Sequence, residues 1–316
     1  MPMRLTVIVT TYNRKELLDR NLASLLAAPI PAGLEVRVAV ADNNSNDGTA
    51  ELVTEWQPRF TGRLDYIFEP VQGKSKALNT AIAATDSDLV ATIDDDEEIE
   101  TTWFQTIAEN FTDPSVDYIG GPCLPRWEAE SPDWLPQNYR GVVGWVESGS
   151  QRLPFDDDFP GMLMGGNAVM RRATLERVGG FSTALGRTDT RLLSGEDEDL
   201  YQRLRDTGAR GYFVPELIIH HFVPRARLTR RYFRRWCFWR GVSQGLMDRD
   251  RQAPVKYLLG IPRWLFGTAA RGAWAKLKGL LPTSVDQART FGGELDVITL
   301  MGFFYGKHWY RPERTS

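Results

Sequence analysis

Along the first third of the chain, hydrophobic positions switch repeatedly between short continuous runs and helical spacing. Arg4 to Thr10 is a β-branched apolar run that predicts a buried strand. Lys15 to Ala27 follows with Leu17, Leu18, Leu22, Leu25 and Leu26 at helical spacing, and Pro29 and Pro31 end it. The alternation continues, with strands predicted at Val36 to Ala41, Leu64 to Phe68, Leu89 to Ile93 and Asp117 to Gly121. Helices are predicted between them at Asp47 to Trp56, Lys74 to Ala83 and Thr101 to Phe111. Pro122 to Gly161 has no clear period and is rich in Pro, Trp and Gly, a long irregular stretch of the kind that often serves function. Beyond it, Met162 to Met170 reads as a strand, Glu196 to Arg205 as a helix and Gly211 to His220 as strand-like around Pro215.

Strands alternating with helices of these lengths imply an α/β fold, a mostly parallel sheet with helices on both faces. Right-handed crossovers then bring the strand C-termini to one edge, where ligands of open α/β sheets bind. Polar clusters occupy those ends. Thr10 to Arg14 follows the first strand, Asp42 to Ser45 the second and Asp94 to Asp96 the fourth. Ordinary turns have such compositions too, but three at one edge point to a single crevice.

Asp94, Asp95 and Asp96 would repel one another unless a cation sits among them. Oxygen ligands suit Mg²⁺ or Mn²⁺; the bland alternative is a solvated acidic turn. In Ser194-Gly195-Glu196-Asp197-Glu198-Asp199, Ser194 and Asp197 have the spacing of a capping box. Consecutive acids from Glu196 to Asp199 exceed what capping needs, and crowding that raises a carboxylate's pKa suits a general base. Gly73, Lys74 and Lys76 at a helix start make either an anion site or an ordinary solvated start, without Walker A spacing. His220 and His221 would point to opposite faces of a strand, so at most one can ligate a given ion. No nucleophile elbow, HExxH or GxGxxG is present.

With these motifs in this order, the chain resembles the glycosyltransferase family 2 enzymes and their GT-A fold. The resemblance rests on TTYNR at 10–14, ADNNSNDGT at 41–49, GKSKALN at 73–79, DDD at 94–96, VGGF at 178–181 and GEDEDL at 195–200. It implies that Thr10, Tyr12 and Asp42 line a nucleotide base pocket, with Arg14, Lys74, Asp94 and Asp95 completing the nucleotide site. It implies Asp96 as ligand of a Mn²⁺ or Mg²⁺ ion, joined by His220 or His221. Gly165, Gly166, Asn167 and Glu196 would lie near donor sugar and acceptor, and Asp197 would be the catalytic base of an inverting transfer. The implied partners are a nucleotide-sugar, UDP-sugar favoured, and a glycan or lipid-linked acceptor. A sugar-phosphate nucleotidylyltransferase is the rival enzyme, though TTYNRKE lacks its Gly-rich loop. A nucleotide-sugar-binding scaffold is the non-catalytic rival.

Composition adds a boundary. Of 316 residues 42% are hydrophobic, ample for a core, and two cysteines make no disulfide framework, so a reducing cytoplasm is expected. The N-terminus alternates like a strand and does not read as a signal peptide. The net charge of −3 hides an asymmetry, because His220 to Leu281 carries fourteen Lys and Arg against two acids. The expected organisation is therefore a catalytic domain over 1–222, with a nucleotide half (1–121) and an acceptor and base half (122–222), followed by a basic, aromatic-rich helical region over 223–316. That region reads either as helices packed on the acidic body or as a peripheral contact with an anionic cytoplasmic membrane surface. Nucleic acid is not an expected partner, since no recognised module accompanies the charge.

Overall fold

The β-branched N-terminal run forms β1 (Met3–Thr11), buried from Leu5 to Thr11. It pairs in parallel with β2 (Leu34–Asp42) on one side and β4 (Leu89–Asp94) on the other, and β2 pairs in parallel with β3 (Leu64–Phe68). The connections are α1 (Lys15–Ala27), α2 (Thr49–Trp56) and α3 (Lys74–Ala84). Successive side chains of β1 serve opposite cores. Val7 and Val9 pack with Leu18, Leu22 and Leu25 of α1, whereas Ile8 packs with Leu78 and Ala81 of α3. Each of these buried leucines stabilises the fold by roughly 2 kcal/mol.

This structure is a computed structural model that describes residues 2–183, 195–250, 255–278 and 286–311; Ser194, half of the expected capping box, lies outside them. After β4 come β5 (Glu97–Ile99), α4 (Trp103–Asn110), β6 (Tyr118–Gly120), β7 (Cys123–Trp127), β8 (Leu153–Pro154), β9 (Ala168–Arg171), α5 (Arg172–Val178), α6 (Glu196–Asp206), β10 (Gly211–Phe213) and β11 (Ile219–Val223). Among the described residues the main sheet has eight strands in the order β3-β2-β1-β4-β9-β6-β10-β8. Strand β9 runs antiparallel to β4 and β6, and β8 antiparallel to β10, so the sheet is mostly parallel. Helices α1, α2 and α4 cover one face and α3, α5 and α6 the other. A smaller sheet, β5-β11-β7, folds the chain after the aspartate triplet back on itself. The strand expected across Met162 to Met170 is shorter, because Gly165–Asn167 forms a 3-10 turn before β9.

The chain divides into two compact units. The one just described holds residues 2–126, 145–183 and 196–222. The second gathers residues 127–144, Gly195 and the described residues after 222. It contains α7 (Arg230–Asp250), a short hairpin of β12 (Tyr257–Leu258) and β13 (Ile261–Pro262), α8 (Arg263–Lys278) and α9 (Gln287–His308). Glycines set its closest packing. A Cβ on Gly241 or Gly245 of α7 would lie 2.2 Å from Thr299 O or 2.4 Å from Phe303 O of α9. On α9, a Cβ at Gly302 or Gly306 would lie 2.1 Å from Phe238 O or 2.3 Å from Val242 O. Trp134 meets Phe233 and Phe291 edge-on at 5.3 and 5.2 Å, and a buried Lys307–Asp248 ion pair of 2.5 Å ties α9 to α7. Among the described residues no helix is long and apolar enough to cross a membrane.

Candidate active site

Strand β4 ends at Asp94, and the chain turns at once into β5, which pairs antiparallel with β11 so that Glu97 faces His221 in register. Asn21 of α1, fully buried, holds this turn by donating to the carbonyls of Asp94 and Glu97 at 3.2 and 2.7 Å. The Glu97 side chain folds back and accepts the Asp94 N–H at 2.7 Å. As a result Asp94, Asp96 and Glu97 each offer a ligand oxygen within 4.8 Å of the others. Burial, reinforced by Asp94 and Asp96, pushes the Glu97 carboxyl well above the ordinary carboxylate range.

The strand ends beside this turn bring in the N-terminal motif. Thr10 Oγ1 donates to Asp94 at 3.2 Å, and Thr11 Oγ1 donates to Asp95 at 2.9 Å. Arg14 Nη1 bridges Asp95 and Asp96 at 3.1 Å each. Asp95 is buried and points to Thr11 and Arg14; burial and the neighbouring Asp96 push its carboxyl up to about 7. Tyr12 is half-buried in the same loop. Asp42, buried at the end of β2, accepts from Tyr66 Oη at 2.6 Å and from the Ser45 N–H at 2.9 Å. Asn43 organises the next loop by donating to Val71 O and accepting from the Gly73 N–H, at 2.8 and 2.7 Å. Gly73, at a φ of 142° that favours glycine, opens α3 and delivers Lys74.

Lys74 joins the two acidic motifs. Its Nζ lies 2.6 Å from Asp94 Oδ1. Burial alone would lower its pKa, but Asp94, Asp197 and Glu196 hold it above the usual lysine value. The carboxylates at the end of β4 and those opening α6 therefore both act on one half-buried cation. Burial first, then Glu196, pushes the Asp197 carboxyl up to about 7, while Lys74 and the Gly165 amide pull it back. Glu196 Oε2 and Asp197 Oδ1 are buried without a hydrogen-bond partner among the described residues. Polar atoms in this state are costly in a finished fold and are expected where a ligand completes the site.

The 3-10 turn at Gly165–Asn167 presses its backbone against these acids. A Cβ on Gly165 would lie 2.0 Å from Asp197 Oδ1, and one on Gly166 would lie 2.2 Å from Glu97 Oε1. The turn is anchored from below. Thr92 Oγ1 donates to Gly165 O at 2.6 Å. Fully buried Asn167 donates to Pro122 O and Leu217 O at 3.1 and 2.6 Å and accepts from Trp103 Nε1 at 3.1 Å. Its polar atoms are thus engaged inside the protein. The histidine doublet splits as strand geometry requires. His221 is buried with Nε2 3.5 Å from Asp96 Oδ2, whereas His220 Nε2 pairs with Glu100 at 2.6 Å.

The donor set suits a hard divalent cation, since three crowded carboxylates, two of them buried, lie within reach of one ion. Glu97 and Asn21 lie outside the motifs, and Thr11, inside TTYNR, had no assigned role there. Glu97 directly follows the aspartate triplet, which was the available signal. Asn21 stands among the apolar positions of α1 and gave none.

Comparison with known proteins places this architecture. Among solved structures, the mannosyltransferase PcManGT from Pyrobaculum calidifontis, in complex with GDP-Man and Mn²⁺, matches with a TM-score of 0.59 at 22% identity over 97% of this chain and 87% of that one. The fold is GT-A. Residues 6–179 match the family model described as glycosyl transferase family 2, and the chain belongs to that family. It is 25% identical over 251 residues to the succinoglycan biosynthesis protein ExoM of Rhizobium meliloti, covering 79% of this chain and 76% of that protein. It is 26% identical over 257 residues to the glucosyl-dolichyl phosphate glucuronosyltransferase of Haloferax volcanii, covering 78% of each. The protein is a glycosyltransferase.

Proposed function

We propose that this glycosyltransferase moves a sugar from a nucleoside diphosphate to an acceptor hydroxyl with inversion at the anomeric carbon, using Mn²⁺ or Mg²⁺. One observation carries the reading: half-buried Lys74 pairs with Asp94 and also feels the charge of Glu196 and Asp197, which supports a metal-competent cluster and a candidate base acting on one ligand. Thr10, Tyr12 and Asp42 flank the nucleotide base, with Arg14 and Asp95 supporting the strand ends beneath it. Asp94, Asp96 and Glu97 would hold the cation, with His221 the nearer member of the doublet. A bound cation there supplies charge neutralisation for the departing diphosphate.

The remaining work falls to the chain itself. Lys74 stays protonated and places a fixed positive charge beside Asp94. Asp197, held near 7, accepts the acceptor hydroxyl's proton at neutral pH as the oxygen attacks the anomeric carbon. Gly165 and Gly166 keep side chains out of the space beside both acids, where the donor sugar sits. No covalent enzyme intermediate is required. The donor favoured is a UDP-sugar and the acceptor a glycan or lipid-linked glycan. The GDP-mannose in the Pyrobaculum neighbour and the name of the Haloferax relative support a nucleotide-sugar and a lipid-linked acceptor. The test is a panel of UDP-, GDP- and dTDP-sugars scored for nucleotide release with Mn²⁺, Mg²⁺ or chelator. Release that needs a divalent ion is expected with one nucleotide class, and turnover undiminished by chelator would overturn the metal assignment.

A further inference from the structure

Among the described residues, nine of the eleven exposed large hydrophobic side chains lie in the second unit, so its surface needs an explanation the first does not. Helix α8 already buries one face, with Leu265 and Phe303 of α9 in a shared cluster and Gly272 against Gly293. Its outer side nevertheless presents Trp264, Trp274 and Leu277, each more than half exposed. The hairpin leading directly into α8 is more unusual. Its turn, Leu259-Gly260, has φ of 52° and 73°, the left-handed pair that favours Asn-Gly or Asp-Gly. A leucine there is conformationally unfavourable, and Leu259 is 75% exposed, so no core contact compensates.

We propose that the β12–β13 hairpin tip and the outer side of α8 form a docking surface for an anionic lipid bilayer. Leu258 and Leu259 at the tip and Trp264, Trp274 and Leu277 along the helix enter the headgroup boundary. Exposed Lys256, Arg263 and Arg271 meet the lipid phosphates. Residues 255–278 contain no acid. The nearby acids of α9 are already paired, Glu294 with Arg234 and with Lys276 of α8, and Asp296 with Tyr139 while it also feels Arg271. The proposed contact is an interfacial one, made by an amphipathic helix and a hairpin tip at headgroup depth. A second copy of the chain fits less well, because two-fold pairing of this face would set its cations against their own counterparts. A nucleic acid would use the cations but leave Leu259 and Leu277 without a purpose.

The full chain should float with vesicles of phosphatidylcholine plus phosphatidylglycerol, less so with phosphatidylcholine alone, and less at high salt. Arg263→Gln and Arg271→Gln should each weaken partitioning about fivefold. Trp264→Ser combined with Trp274→Ser should weaken it about tenfold or more. Leu259→Gly is the decisive variant, because glycine relieves the turn and keeps the fold while removing the inserted side chain. Nucleotide-sugar turnover without vesicles should be unchanged in all of them, which separates failure of this surface from failure of the transfer reaction. The proposal is overturned if the wild type ignores anionic vesicles at low salt, or if flotation survives the tryptophan and leucine substitutions. It is equally overturned if those substitutions turn a dimer into a monomer, or if RNA binds as well as vesicles do.

Discussion

Replacing Gly165 by alanine tests the geometry of the base with a single methyl group. The added Cβ would lie 2.0, 2.5 and 2.8 Å from Oδ1, Cγ and Oδ2 of Asp197, whereas ordinary contact begins at 3.4 Å, so the carboxylate must retreat by about 1.4 Å. The turn cannot yield instead, because Thr92 holds the Gly165 carbonyl and Gly166 is already against Glu97. Gly165 has no left-handed φ, so alanine meets no backbone penalty and the effect is steric. A reacting group displaced by about 1 Å costs roughly 100-fold in rate, near 2.7 kcal/mol of barrier. Overpacking itself costs about 1–3 kcal/mol of stability, so turnover is measured well below the melting temperature. The assay is nucleoside diphosphate release under saturating donor, beside calorimetric titration of the nucleotide with Mn²⁺. We expect kcat to fall about 100-fold while nucleotide affinity stays within about threefold. Gly141→Ala, where a Cβ meets nothing within 4 Å, serves as the control and should behave as wild type. A Gly165→Ala enzyme that kept kcat within about threefold of wild type would refute the placement of Asp197 at the reacting centre.

Asp197→Asn should lower kcat by about 100-fold or more with nucleotide affinity little changed, and full turnover in that variant would remove the base assignment. In the wild type, kcat/KM should fall about tenfold per unit as pH drops below about 7, where Asp197 takes up its proton; a flat profile down to pH 5 would contradict this. Because the folded carboxyls of Asp95 and Asp197 titrate near 7 and unfolded ones near 3.8, the native state holds protons that the unfolded chain releases. Stability contributed by these groups is therefore lost as pH rises through that window, and the rise in Tm on adding Mn²⁺ should be larger at pH 8 than at pH 5.5. Asp96→Ala should weaken metal-dependent nucleotide binding about tenfold or more, which titration with and without chelator would reveal. Asn167→Ala loses three buried hydrogen bonds and should cost about 3 kcal/mol, read as a lower urea midpoint.

The alternating half of the fold was legible because its signals are local. Strand β1 is buried from Leu5 to Thr11, so its side chains form one apolar run, and α1 shows its leucines at helical spacing. Of the three-residue strands, β6 lies within the predicted Asp117 to Gly121 and β10 opens the predicted Gly211 to His220, but β5 was not legible. Glu97–Ile99 carries charge and pairs with a segment more than a hundred residues away, so no periodicity marks it. Gly165 and Gly166 sat in an apolar stretch that suggested a strand, and only the approach of Asp197 and Glu97 explains why both are glycine. For the site, sequence order could put carboxylates at strand ends. It could not tell that Glu97 would turn back onto the Asp94 amide, nor that one lysine would lie between two acidic motifs. Those facts belong to the pairing of β5 with β11 and the seating of α6, which are tertiary. For the histidine doublet, strand alternation required opposite sides, and the register with Glu97 determines which one meets the metal-competent cluster.

The seam between α7 and α9 has its own implication for how the C-terminal third can vary. At Gly241, Gly245, Gly302 and Gly306 the two backbones nearly touch, and even a methyl group has no room. A randomised library selected only for folding should return hydrogen at those four positions while accepting wide diversity on the solvent side of both rods. Hydrogen exchange should likewise report the two helices opening as one cooperative block, since neither can loosen without vacating the other's groove.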